Sequence, residues 1–154
     1  MGKYDINSKC DVSAVDAKDS LFNSFMSNMT SFLTDRKYLY IVGGFSDENN
    51  DIIKLNLNTH KWENVSTLKS NRSKFGVLTL DKNIFLFGGK KGKERVSDCE
   101  IWNGMVGDWQ CGFKMKKCRS GFGSILVNDL IYIIGGNDGE TILSSVETYN
   151  IKTG

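Results

Sequence analysis

The stretch "LIYIIGGNDG" (130–139) is a run of apolar, β-favouring residues that stops at two glycines. A strand this hydrophobic needs burial, yet the pair that ends it offers no side chain to pack. "YLYIVGGFSD" (38–47) and "NIFLFGGKKG" (83–92) have the same design. A pattern met three times in one chain points to a repeated unit, which has to be settled before any single element is assigned.

Independent markers agree on the period. Gly43-Gly44, Gly88-Gly89 and Gly135-Gly136 stand 45 and 47 residues apart, and Trp62 and Trp109 stand 47 apart. "NRSKFGVLTL" (71–80) aligns with "CRSGFGSILV" (118–127) at the offset of 47, placing Arg72 over Arg119, Ser73 over Ser120 and Gly76 over Gly123. Each period starts with Arg-Ser-x-Phe-Gly and a short apolar strand, followed by a tight turn such as "LDKN" or "VNDL". A second strand ends in Gly-Gly. After a polar loop come a third strand, as in "SVETYNIKTG", and a fourth that carries the tryptophan. Short strands at regular intervals, punctuated by Gly, Asn and Asp, mark an all-β chain.

This set of motifs resembles the kelch repeat, a four-stranded blade of a β-propeller with a period of about 50 residues. The resemblance covers about residues 30–154 and rests on the hydrophobic strand, the Gly-Gly, "VETYNIKTG" and the tryptophan. A WD40 repeat would want Trp-Asp and an earlier Gly-His, but "DW" (108–109) is reversed and Gly-His is absent. The resemblance implies a partial propeller of four-stranded antiparallel blades, spanning about 30–68, 72–115 and 119–154. Asn56 and Asn103 each precede a tryptophan by six residues, so Asn150 calls for one two positions beyond Gly154. The third blade is therefore expected to lack its outermost strand.

In such a blade Gly43, Gly44, Gly88, Gly89, Gly135 and Gly136 are structural. Glycine suits places where one backbone approaches another near the hub, and it accepts φ > 0 at the following bend. Trp62 and Trp109 do the opposite work at the wide end. Each would bury about 150–250 Å², worth at most roughly 4–6 kcal/mol at about 25 cal/mol/Å².

Residues 1–29 form an extension ahead of the repeats. Leu21, Phe22, Phe25, Met26, Met29, Phe32 and Leu33 have helical spacing and "SAVD" (13–16) resembles a capping box, which predicts a short amphipathic helix over about 14–28. Covering the open side of the first blade is one role for it; dimerisation or contact with another domain is the other. Propellers typically close with about four to eight blades, and open flanks expose strand edges and apolar faces. The chain is expected to be a piece of a longer propeller, or to complete a ring by self-association.

Composition narrows the function classes. A net charge of +2 over 154 residues is far less basic than a nucleic-acid binder usually is. No apolar run approaches the roughly 20 residues that span a bilayer. The start, "MGKYDINSKCDVSAVDAKDS", lacks the apolar core of a signal peptide, so a cytoplasmic location is expected and no membrane contact. Cys10, Cys99, Cys111 and Cys118 then read as free thiols. With no Cys-x-x-Cys and a single histidine, His60, neither a metal nor another cofactor is expected.

If the strands of a blade alternate in direction, the loops after the second strands share a face with the joins between blades. That face collects "FSDENND" (45–51), "KKGKERVSD" (90–98) and "NDGET" (137–141), together with "KSNRSK" (69–74) and "KMKKCRS" (114–120). In kelch substrate receptors of Cullin-type ubiquitin ligases, arginines at the blade-joining position line a central pocket and grip acidic peptides. The resemblance therefore nominates Arg72, Ser73, Lys74, Arg119 and Ser120 as partner-binding residues. A guanidinium pairs with a carboxylate through two parallel hydrogen bonds. The competing role for Arg72 and Arg119 is to tie neighbouring blades together through backbone carbonyls.

The reading that follows is a non-catalytic protein-interaction module, with substrate recognition for a ubiquitin ligase as its finer form. A cytoskeletal scaffold is the alternative. A propeller enzyme is disfavoured: one histidine excludes the copper-oxidase type, and Asp47, Glu48, Asp51, Asp98 and Glu140 lie in solvated loops without a paired base. Nucleic-acid binding would want aromatic residues interleaved with the basic segments, and only Phe45 and Phe113 are near.

Overall fold

In the computed structural model, residues 30–34, 37–43 and 51–154 are described. The expected helix over about 14–28, most of the loop at 45–51, and Gly44 lie outside them. The described residues are all-β, in sheets whose strands follow one another antiparallel. The first sheet runs β1 (Thr30–Thr34), β2 (Tyr38–Val42), β3 (Asp51–Asn56) and β4 (Trp62–Thr67) in spatial order. The second contains β5 (Gly76–Leu80) and β6 (Asn83–Phe87); its chain then makes a small hairpin of β7 (Lys90–Lys91) and β8 (Glu94–Arg95) before β9 (Asp98–Asn103) and β10 (Trp109–Lys114). The third has β11 (Gly123–Val127), β12 (Leu130–Ile134) and β13 (Val146–Asn150), without a fourth strand among the described residues.

Why "NIFLF" is apolar at every position after Asn83 becomes clear from where its side chains go. Successive residues of a strand point to opposite faces, and the second sheet is covered on both. Ile84 and Leu86 join Val77 and Trp102 against Val42 and Ile52 of the first sheet. Phe85 and Phe87 join Cys99 and Met115 against Ile131 and Ile133 of the third. Phe87 is fully buried, and cutting it back to alanine would cost about 3–5 kcal/mol. On the far face of the third sheet Ile125, Val127, Ile134 and Val146 remain about half exposed, at 52%, 45%, 48% and 54%.

Gly88 and Gly89 sit where the second and third sheets are joined. Gly88 has φ +62, and a Cβ there would lie 2.6 Å from the Met115 methyl and 2.8 Å from the Arg119 carbonyl. Gly89 has φ +96, and its Cβ would meet the Phe75 Cβ and the Ser73 carbonyl at 2.8 Å each. No L side chain fits either position. The sheets approach one another at their first strands, where β5 adjoins both β1 and β11.

Three identical turns show the equivalence of the repeats most directly. In each, an asparagine side chain accepts hydrogen bonds from the N–H groups two and three residues on: Asn56 from Asn58 and Thr59, Asn103 from Met105 and Val106, Asn150 from Lys152 and Thr153. The residue four on donates to the asparagine carbonyl and adopts a left-handed backbone: His60 at φ 54, Gly107 at φ 81, Gly154 at φ 87. Asn and Gly lead such turns because one hydrogen-bonds its own backbone and the other carries no Cβ penalty.

Trp62 and Trp109 occupy equivalent places but are only half-buried. Trp62 packs on Ile41 and Ile53, and Trp109 on the core between the first two sheets. Both lie on edge strands, which are covered on one side only. Trp102, on the inner strand β9, is 6% exposed and gives more of its ring to the core. Cys99, Cys111 and Cys118 carry no disulfide. Among the described residues no helix is long and apolar enough to cross a membrane.

Candidate functional site

The two arginines of the Arg-Ser motif lie inside the sheets. Arg72 is 4% exposed and Arg119 is 0% exposed. Arg72 donates through Nη1 to the Gly88 carbonyl at 3.2 Å, and through Nη2 to Asp98 Oδ2 at 2.7 Å and Glu100 Oε1 at 2.8 Å. Arg119 repeats this in the third sheet, donating to the Gly135 carbonyl at 2.8 Å, Ser145 Oγ at 3.2 Å and Glu147 Oε1. Each guanidinium thus fastens the Gly-Gly end of a second strand to the start of the third strand beside it. That differs from both expectations. The side chains present no surface to an acidic peptide, and the strands they tie belong to one sheet and not to neighbours. Neighbouring sheets are joined by backbone instead: Gly89 N–H donates to the Arg119 carbonyl at 2.8 Å, and Gly121 N–H to the Lys74 carbonyl at 2.8 Å.

The carboxylates opposite are held in the charged form. Burial alone would push Glu147 up, but N–H donation from Lys116 and the Arg119 guanidinium outweigh it and hold its pKa below the usual carboxylate range. For Asp98, burial is likewise outweighed, here by the Arg72 hydrogen bond and charge with Lys91 adding to them. In the first sheet the position of Glu100 and Glu147 is taken by Ile53, fully buried. Ser27, which lies outside the described residues, aligns with the arginines. The cation and the anion are replaced together, which avoids burying either one unpaired.

Ser73 and Ser120 position the loops above these clamps. Ser73 exchanges two backbone hydrogen bonds with Lys90, at 3.0 and 2.8 Å, and Ser120 does the same with Asn137 at 3.0 Å each. The β7–β8 hairpin and the 137–142 loop therefore stand side by side at the joint between the second and third sheets. Between them lies a depression of about 430 Å³ lined by Lys74, Lys90, Arg95, Ser120, Asn137 and Ile142. No acidic residue lines it among the described residues. The Arg95 side chain reaches toward the third sheet, its Cδ 3.7 Å from where a Cβ on Gly139 would stand, while Nη1 donates to the Lys93 carbonyl and Nε has no protein partner. Lys91, by contrast, is drawn away to Asp98 Oδ2 at 3.3 Å.

Lys74 is the unusual member. It is exposed and has φ +53, the left-handed conformation. Its counterpart 47 residues on is Gly121, with φ +62. A left-handed backbone costs an L residue roughly 1–2 kcal/mol, and such strain at a surface rim is a pointer to function. Of the five residues the sequence nominates, Lys74 and Ser120 line the depression, Ser73 holds its wall, and Arg72 and Arg119 lie beneath. Lys90, Arg95 and Asn137, which lie in loops the sequence places on the same face but were not among the five, join it. Their signal was the "KKGKER" run facing "NDGET" across a joint of the repeat.

Residues 4–154 match the family profile of the KLHDC2/KLHL20/DRC7 Kelch-repeats domain. Among curated proteins, Kelch-like protein 41a of Danio rerio is 29% identical over 83 residues. That match takes in 52% of this chain and 14% of the relative, so the chain corresponds to a small part of that protein. The recurring clamps, the three equal turns and the match over nearly the whole length agree: the chain belongs to the kelch-repeat family.

Proposed function

We propose that this kelch domain is a protein-binding module that captures an acidic segment of its partner on the basic rim between the second and third sheets. The observation that carries the reading is Lys74, kept in a left-handed backbone where the next repeat uses glycine, at the edge of a depression that also presents Lys90 and Arg95. Three cations without an acid in the lining favour carboxylates, and Ser120 and Asn137 supply neutral hydrogen bonds. Arg72 and Arg119 serve the site from below, by fixing the strands that carry the loops.

The test is titration of a fluorescent Asp/Glu-rich peptide into the protein at two salt concentrations. Binding should weaken at higher salt, and Lys74→Ala with Arg95→Ala should lower affinity about tenfold or more. Unchanged affinity in a folded double variant would refute the site. Substrate recognition for a ubiquitin ligase is the finer form of the proposal. It rests on the family resemblance, and co-purification of a cullin with the full-length protein tests it.

A further inference from the structure

Lys90 and Arg95 lie directly opposite each other in the β7–β8 hairpin, and both line the basic rim. Like charges in such a cross-strand pair repel, since their Cβ atoms stand about 4.5–5.5 Å apart. The other pair of the hairpin, Lys91 opposite Glu94, joins unlike charges, and Lys91 also reaches Asp98. Lys74 brings a third cation to the same depression, in a left-handed backbone. None of these three makes an ion pair among the described residues. Two unfavourable arrangements, one electrostatic and one conformational, thus meet at one point, and an anion placed there relieves the first.

The rim also offers donors while its acceptors are in use. The Asn137 side-chain oxygen accepts from the Gly139 N–H at 2.8 Å, so the NH2 group is what that side chain has left. The Lys74 carbonyl accepts from Gly121, and the Gly136 carbonyl from Leu143. Asp138 is turned onto its own loop, accepting from the N–H groups of Glu140 at 3.0 Å and Thr141 at 2.7 Å. In Arg95, Nη1 donates to the Lys93 carbonyl at 2.8 Å, while Nε is buried without a protein partner. The edge of this guanidinium left for a ligand is the one carrying Nε and Nη2, whose parallel N–H groups suit an oxyanion.

We propose that the basic rim takes a phosphorylated serine or threonine within the acidic segment of the partner protein, an inference that rests on the protein-binding function proposed above. One carboxylate opposite three cations leaves two of them uncompensated. Side chains on one face of an extended acidic segment are about 7 Å apart, too far to gather at one point. A phosphomonoester brings about two negative charges and three acceptor oxygens to a single position. It accepts from the Arg95 edge through two oxygens and still faces Lys74 and Lys90. A nucleic-acid backbone fits less well: among the described residues no aromatic side chain lines the depression to stack its bases.

The test is fluorescence anisotropy with a dye-labelled Asp/Glu peptide carrying phosphoserine or glutamate at its centre, titrated into the 154-residue protein. The phosphoserine form should bind about tenfold or more tighter than the glutamate form. That advantage should shrink between about pH 7.5 and about pH 5.5, because the phosphate takes up its second proton near pH 6 while carboxylates stay ionised. His60, the single histidine, does not line the depression, so the protein's own charge there stays constant over this range. Lys74→Ala should remove most of the advantage, and Arg95→Lys, which keeps the charge but loses the two-pronged edge, part of it. Lys82→Ala, an equal change of charge at an exposed residue outside the lining, should leave it intact. Equal binding of the two forms overturns this inference and leaves the acidic-segment reading standing, whereas no binding of either form overturns both. A phosphoserine advantage that survives Lys74→Ala and Arg95→Lys, or tighter binding of a single-stranded oligonucleotide, overturns the inference as well.

Discussion

Arg119 and Glu147 meet inside the third sheet as Arg72 and Glu100 meet inside the second, each pair 28 residues apart in the chain. The partner of each arginine is the glutamate of the third strand, and the carbonyl that completes the grip comes from the first glycine of the pair. The hallmarks of the repeat are thus parts of one clamp.

Removing one half of that clamp leaves a buried charge without its partner. Arg119→Ala should lower unfolding free energy by about 3–5 kcal/mol, read from urea denaturation. The double variant Arg119→Met with Glu147→Leu, which restores an uncharged interior, should recover most of the loss. Equal loss in the single and double variants would show that the charge pair is not what matters at this position.

Acid should loosen the same clamps. Glu147 and Asp98 both titrate below their ordinary values of 4.5 and 3.8 in the fold. A carboxyl depressed in the native state binds protons more readily when unfolded, so its contribution is complete above the unfolded value and drains as pH falls through the folded one. The urea midpoint should therefore drop between about pH 6 and about pH 3, and Glu147→Gln should show a smaller drop. A variant with the full wild-type slope would remove Glu147 from the account.

At Lys74 stability and binding are set against each other. Lys74→Gly relieves the left-handed strain at the cost of some chain entropy, for a net gain of about 0.5–1 kcal/mol. The same change should weaken the acidic peptide. Thermal melts and the peptide titration, run on one sample, read both signs.

Thiol chemistry should separate the cysteines. Burial pushes the Cys99 thiol up to about 12, whereas Cys111 is exposed. Since the thiolate is the reacting species, iodoacetamide at neutral pH should modify Cys111 and leave Cys99 intact until the protein unfolds. Mass spectrometry of tryptic peptides checks this.

The architecture was legible because its markers are backbone devices. Gly88-Gly89 and the Asn56, Asn103 and Asn150 turns need particular residues for steric reasons, and such needs survive divergence of everything around them. The site was harder to read. An arginine in a polar join such as "KSNRSK" looks solvent-facing, and only its recurring distance to Glu100 or Glu147 betrays that it turns inward. Lys74 carries a similar hidden signal, the glycine at position 121. The prominence of Trp62 and Trp109 in the pattern drew attention to edge strands, while Trp102, absent from the motif, has the deeper environment.

The middle sheet is a shared wall. Ile84 and Leu86 close one core and Phe85 and Phe87 close the other, so neither chamber persists without it. In a stacked array each unit is stabilised by its contacts with the next, and the unit with two neighbours opens last. Amide hydrogens on β6 and β9 should be the slowest in the molecule to trade with deuterium, making this sheet a keystone whose loss would release the other two together.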